Sequence, residues 1–267
     1  MNFLKQIPRT TLTIIVICSA VCLVINLFPF NGNLTEKAIL FGAYYKAMII
    51  AGEYWRILTC GLIHVSFWHL MMNMYSLLNI GVVLERILGW KNYLMTLIIS
   101  TLTGSLFLFI LSGNTVAVGL SGGLYGLMGC EIYILYRKGA LRNQAVQRAV
   151  LQTILMNLMI NFMPIVAWQA HLGGAIGGLL CASIITAENR TQKITGCTAL
   201  PILCVILAAM CMQKTTIRNS EIYAGTDAKV LEFEYQHGMP KHALNIARNL
   251  DELYDIDYLE AYLTQEN

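Results

Sequence analysis

No charged side chain falls between Lys91 and Glu131, which leaves an uncharged run of 39 residues, Asn92 to Cys130. As one helix that run would extend roughly 58 Å, nearly twice the roughly 30 Å hydrocarbon thickness of a bilayer. It therefore turns back on itself, and its breaker cluster is Ser112-Gly113-Asn114. A second 39-residue run, Ala149–Ala187, must do the same, with its break around Asn161–Pro164. Only 12% of the 267 residues are charged, against about 25% in soluble domains. The chain reads as an all-α, polytopic membrane protein.

Spans follow from the apolar stretches. The first is Thr11–Phe28, preceded by Lys5 and Arg9 and read as uncleaved. Residues 29–63 are too interrupted to span and suit a loop with short interfacial helices. Further spans are expected at about Phe67–Leu84, Tyr93–Leu111 and Ser121–Tyr136, then on either side of the Asn161–Pro164 break, with a seventh at Ile194–Gln213. Residues 1–213 carry 13 Lys/Arg against 5 Glu, whereas 214–267 carry 5 Lys/Arg against 10 Asp/Glu. The expected organisation is a membrane domain over 1–213 (core about 11–187, extra span 194–213) and an acidic, helical tail over 214–267. No basic stripe points to nucleic acid. The eight cysteines lie almost wholly in apolar segments and read as small core residues.

Basic residues set the orientation. Lys5/Arg9, Arg86/Lys91, Arg137/Lys138/Arg142/Arg148 and Arg190/Lys193 all fall on one side, which places the amino terminus in the cytosol and the tail outside. Spans two, four and six then enter from outside, and their first turns are level. Those turns hold the polar residues.

Span two opens with His64, His69 and Asn73, the last two sharing one helical face. Span four opens with Gly119-Leu120-Ser121-Gly122, with Tyr125 a turn below; span six opens with Ala170-His171, followed by Gly174 and Gly178. Ser121 sits at a helix N-terminus, where unpaired backbone N–H groups and the helix dipole can hold an oxyanion. The small-x-x-x-small spacing of Gly122/Gly126 and Gly174/Gly178 lets the two helices approach closely. That approach brings His171 within reach of Ser121 as base to nucleophile. Glycines and a serine also occur simply to pack membrane helices, and Tyr125, Trp55 and Trp168 also suit an interfacial belt. No Asp exists in residues 1–213, so a Ser-His-Asp triad is not available, and the base would be oriented by packing, with Tyr125 nearest. Zinc-type spacings are absent, and neither a metal nor a cofactor is expected. Glu131, inside span four, is an intramembrane acid and by default a functional candidate, but its place well below Ser121 favours a structural pairing or a water-facing position.

Taken in order, Trp55-Arg56, His64…His69…Asn73, Gly119-Leu120-Ser121-Gly122 with Tyr125, and Ala170-His171 with its glycine pair resemble the rhomboid family of intramembrane serine proteases over roughly residues 50–185. The resemblance implies a six-helix core with a seventh, C-terminal helix. It implies Ser121 as nucleophile, His171 as general base, and an oxyanion site from the Ser121 backbone N–H with the side chains of His69 and Asn73. His64, Gly119, Gly122, Tyr125, Gly174, Gly178, Trp55 and Arg56 are expected in support. The expected activity is cleavage of single-span, membrane-anchored proteins near the outer face of the plasma membrane. The rival class is a catalytically silent relative that binds and escorts transmembrane clients. A lone helical-repeat half in the tail could not bury its own face.

Overall fold

The computed structural model describes residues 6–163, 166–190 and 221–265, with isolated positions 198, 201, 202, 205, 209 and 217. The expected seventh span, Ile194–Gln213, lies outside the described residues apart from five of those positions. Helix α1 (Arg9–Leu27) is followed by a loop with three short helices, α2 (Leu34–Leu40), α3 (Lys46–Ile50) and α4 (Arg56–Thr59). Next come α5 (Phe67–Ser76), a π-helical turn (Leu77–Gly81) and α6 (Val82–Leu111). Then follow α7 (Ser121–Arg137), α8 (Gln144–Asn161), α9 (Trp168–Ile185), and the tail helices α10 (Glu221–Gln236), α11 (Pro240–Tyr254) and α12 (Leu259–Gln265).

Arg9–Leu27, the rod Phe67–Leu111 and Trp168–Ile185 are each long and apolar enough to cross a membrane. This is an integral membrane protein. The rod divides at Gly89, whose φ of 74° and ψ of 157° leave the helical region, a conformation glycine adopts without a Cβ penalty. That break lies between the two spans expected there. The amino end of α1 is tied to α6 by Glu85, whose carboxylate accepts from the backbone N–H groups of Thr10 (3.0 Å) and Thr11 (2.7 Å). An acid at that place satisfies orphan helix donors and meets the positive end of the dipole.

Helix α9 is wrapped by α6 and α7, and glycines on two of its faces make this possible. A Cβ at Gly174 would lie 2.0 Å from the carbonyl oxygen of Gly122, and one at Gly178 would lie 1.8 Å from that of Gly126, both on α7. On the other face a Cβ at Gly173 would meet the Thr103 carbonyl of α6 at 2.6 Å. Only the first face was expected; the Gly173/Gly177 stripe is the second. Helix α8, by contrast, buries no described side chain.

Among the described residues the only strands are β1 (Tyr44–Tyr45) and β2 (Val116–Ala117), an antiparallel pair that joins the first loop to the turn between α6 and α7. The tail does not bury its apolar face alone. Leu231, Ile246, Leu250 and Tyr254 of the tail form one buried cluster with Ile39 and Met48 of the first loop. The missing partner surface is the loop itself.

At the centre of that interface Asp227 is fully buried. It accepts hydrogen bonds from Tyr254 Oη (2.8 Å) and Tyr45 Oη (3.4 Å). Burial pushes its carboxyl from 3.8 up to about 7, against the opposing pull of these bonds and of Arg56. Between those values the docked tail holds a proton that the undocked tail has lost, so docking weakens as pH rises through about 4 to 7. Limited proteolysis of the full chain in detergent should therefore cut the tail faster at pH 8 than at pH 5.5, with a smaller difference in Asp227→Asn. A flat profile for the wild type would contradict this.

Candidate active site

Ser121 is the first residue of α7, entered through Gly119 at a φ of +111°. A side chain there is excluded twice. The conformation is left-handed, and a Cβ would lie 2.5 Å from Cε1 of His69. Gly119 N–H donates to the Cys60 carbonyl (2.9 Å) and Leu120 N–H points at His64 Nε2 (3.5 Å). The first loop and α5 thus hold the turn that presents the serine.

His171 lies in the first turn of α9, 6% exposed. Its Nε2 is 2.8 Å from Ser121 Oγ, and its ring stacks on Tyr125 at 4.0 Å between centroids, 9° from parallel. Its Nδ1 is 2.5 Å from Asn161 Oδ1. An amide oxygen only accepts, so Nδ1 carries the proton and Nε2 presents its lone pair to the serine hydroxyl. Asn161 in turn donates from Nδ2 to Tyr125 Oη (3.1 Å), and Tyr125 Oη donates to the Asn157 carbonyl (3.3 Å). The hydrogen bonds run in one consistent direction from Ser121 to α8.

Asn161 is the residue that sequence reasoning missed. The sequence marks it only as part of a helix break and points to packing on Tyr125 as what orients His171. Tyr125 does stack on the ring, but Asn161 is the group that fixes its tautomer. The available signal was a carboxamide ten residues before His171, on the outer side of the same turn.

The remaining expected residues divide. His69 lies against Gly119, and its ring is 5.2 Å from that of His64. Asn73 is buried, but its amide donates to the His69 carbonyl one turn earlier (2.9 Å) rather than across to α7. Trp55 and Arg56 are not at the serine. Arg56 is buried in the first loop, where Nη1 donates to the carbonyls of Ile39 (2.6 Å) and Ala43 (3.1 Å) and Nε pairs with Glu53. Trp55 packs beside His242 of the tail at 5.8 Å. Glu131 is half-buried and ten residues along α7, about 15 Å below Ser121.

Residues 51–188 match the Rhomboid domain. The chain belongs to the rhomboid family. Among curated rhomboids it is 30% identical over 162 residues to rhomboid protease GluP of Bacillus subtilis, covering 60% of this chain and 32% of that protein. It is 33% identical over 148 residues to RHOMBOID-like protein 5 of Arabidopsis thaliana, covering 54% of this chain and 48% of that protein. A third rhomboid, inactive RHOMBOID-like protein 8 of the same plant, is 30% identical over 137 residues, covering 51% of this chain and 39% of that protein. The chain thus spans between a third and a half of the length of these relatives.

The contact of α7 with α9 carries a test within this rhomboid fold. Gly178→Leu would drive a side chain into the Gly126 backbone, which cannot yield as a flexible side chain can, and separate His171 from Ser121. Gly225, which has nothing within 4 Å of an added Cβ, is the control. Gly178→Leu should lower the melting temperature, and Gly225→Ala, inside a helix, should not lower it. Wild-type melting in Gly178→Leu would refute the close approach.

Proposed function

We propose that this rhomboid is an intramembrane serine endopeptidase that cleaves membrane-anchored proteins near the extracytosolic face through the dyad of Ser121 and His171. The observation that carries this reading is the 2.8 Å approach of a buried imidazole to the Ser121 hydroxyl, with the other ring nitrogen held by Asn161. His171 Nε2 takes the hydroxyl proton as Oγ attacks the scissile carbonyl, then returns it to the leaving amine. Water repeats the cycle on the acyl-enzyme. The oxyanion forms at the N-terminus of α7, where the Ser121 N–H, His69 and Asn73 are the proposed donors. For Asn73 this requires its amide to turn away from the His69 carbonyl. Asn161 is a positioning residue, and a neutral carboxamide suits a site where a buried charge is costly.

We take residues 1–213 as the membrane domain and 214–267 as its extracytosolic tail, in a plasma membrane. The distribution of basic residues supports this orientation, as does the packing of the tail on the first loop, which puts both on one side. Arg137, paired with Glu188 at 2.8 Å, marks the opposite end of α7 and α9. The substrate's peptide bond must leave its helix to reach Ser121, and unwinding inside a bilayer is costly unless the freed groups find partners. Single-span substrates with Gly, Pro or polar residues beyond the cut are therefore preferred.

A rhomboid named as inactive is among the relatives, so silent binding of transmembrane clients is the second reading. Co-expression with a tagged single-span substrate separates the two. The proteolytic reading expects an ectodomain fragment outside the cell, lost in Ser121→Ala and His171→Ala. It also expects a fall of about 10-fold or more in kcat with little change in KM for Asn161→Ala, and of about 10²–10³-fold for His69→Ala. Substrate retained intact by wild type and Ser121→Ala alike would favour the silent reading.

A further inference from the structure

The interface between tail and first loop contains a second group of chemically capable side chains. Glu53 and Glu234 are 2% and 5% exposed, and His242 is about a third exposed. Each offers one ligand atom, and these atoms all lie within 4.8 Å of one another. Glu53 Oε2 is engaged by Arg56 Nε, while Glu53 Oε1 faces His242 Nε2 at 2.7 Å. Glu234 Oε2 is buried with no hydrogen-bond partner among the described residues, a costly state for a carboxylate oxygen. Arg56 gives it no hydrogen bond. Its Nη1 is committed to the Ile39 and Ala43 carbonyls and its Nη2 to Met48 Sδ (3.1 Å). Two buried carboxyl groups thus share one guanidinium and one imidazole.

We propose that Glu53, Glu234 and His242 form a divalent-cation site that pins the tail to the first loop. An imidazole with two carboxylates suits Zn²⁺ rather than Mg²⁺, which prefers oxygen ligands and keeps its waters. On binding, the proton at His242 Nε2 is given up and one is regained at Nδ1 by exchange with solvent, so the imidazole stays neutral and the metal takes the place between Nε2 and Glu53 Oε1. Ligand atoms at about 2.0–2.2 Å from the ion lie about 3.3–3.6 Å apart. The gap of up to 4.8 Å must therefore close slightly, and His242 can provide that movement from the first turn of α11. Its exposed edge gives the ion a route in, and water completes the coordination. Arg56 stays on the outer oxygen of Glu53 and orients the ligand, as second-shell partners do. The site requires nothing of Ser121, so it stands or fails apart from the proteolytic reading.

The test uses the full chain in detergent, stripped with a chelator and dialysed. Titration with Zn²⁺ should show one saturable site, with a rise of about 3 °C or more in melting temperature at saturation and none with Mg²⁺. His242→Ala and Glu234→Gln should each lose the site, while His237→Ala, an exposed histidine of the same tail, should keep it. Without metal, Glu234→Gln should melt no lower than wild type, because it replaces a buried carboxyl group whose oxygen has no hydrogen-bond partner; a carboxyl with a purely structural role would melt lower when replaced. Absence of saturable Zn²⁺ binding, or undiminished binding in a Glu234→Gln/His242→Ala double variant, would overturn the proposal.

Discussion

The backbone contact between α7 and α9 is the constraint on which the site depends. Ser121 and His171 are 50 positions apart and belong to different helices, so their 2.8 Å separation is set by how closely those helices approach. Gly174 and Gly178 remove every atom that would hold the helices further apart, and the carbonyls of Gly122 and Gly126 occupy the space a side chain would need. A bilayer supplies little hydrophobic force between helices, so close packing of backbones must hold them together. The same glycines that stabilise the pair therefore fix the distance between Ser121 and His171. A second stripe, Gly173 and Gly177, seats α9 against α6 and keeps it from rotating the imidazole out of register.

On this frame the hydrogen bonds have one direction. The Asn157 carbonyl accepts from Tyr125, Tyr125 from Asn161, and Asn161 from His171, which leaves the Nε2 lone pair for Ser121. The tautomer is determined by an acceptor-only oxygen and needs no carboxylate. An ionised acid at that place would have to be desolvated beside the lipid, where charges are expensive. Asn161 gives up electrostatic stabilisation of the imidazolium but keeps its geometry. That the group comes from α8, which buries no described side chain, ties the His171 ring to a thinly covered helix.

Much of this was legible in the sequence. Two uncharged runs too long for one crossing located the turns, and Gly89 lies in the gap between the second and third expected spans. Ser121, His171 and the Gly174/Gly178 pair could be placed together because helical spacing and a common depth are local properties of the chain. Asn161 could not be assigned, because its role depends on where the carboxamide points after the chain turns, which no spacing encodes. Arg56 and Trp55 were legible as a motif but not as a position. Arg56 organises carbonyls of the first loop, and Trp55 meets a tail helix some 190 residues later. The tail's docking was hidden for the same reason: its apolar face was evident, but its partner is a loop too irregular to show a periodic face of its own.

The measurement that bears most directly on the account is covalent capture of the nucleophile. Purified protein in detergent is treated with a fluorophosphonate, which phosphonylates a serine whose hydroxyl is deprotonated by a neighbouring base, and the adduct is mapped by peptide mass spectrometry. The account predicts one dominant adduct, on Ser121, lost in His171→Ala and slowed in Asn161→Ala. An adduct on another serine, or labelling of Ser121 at the same rate without His171, would contradict it.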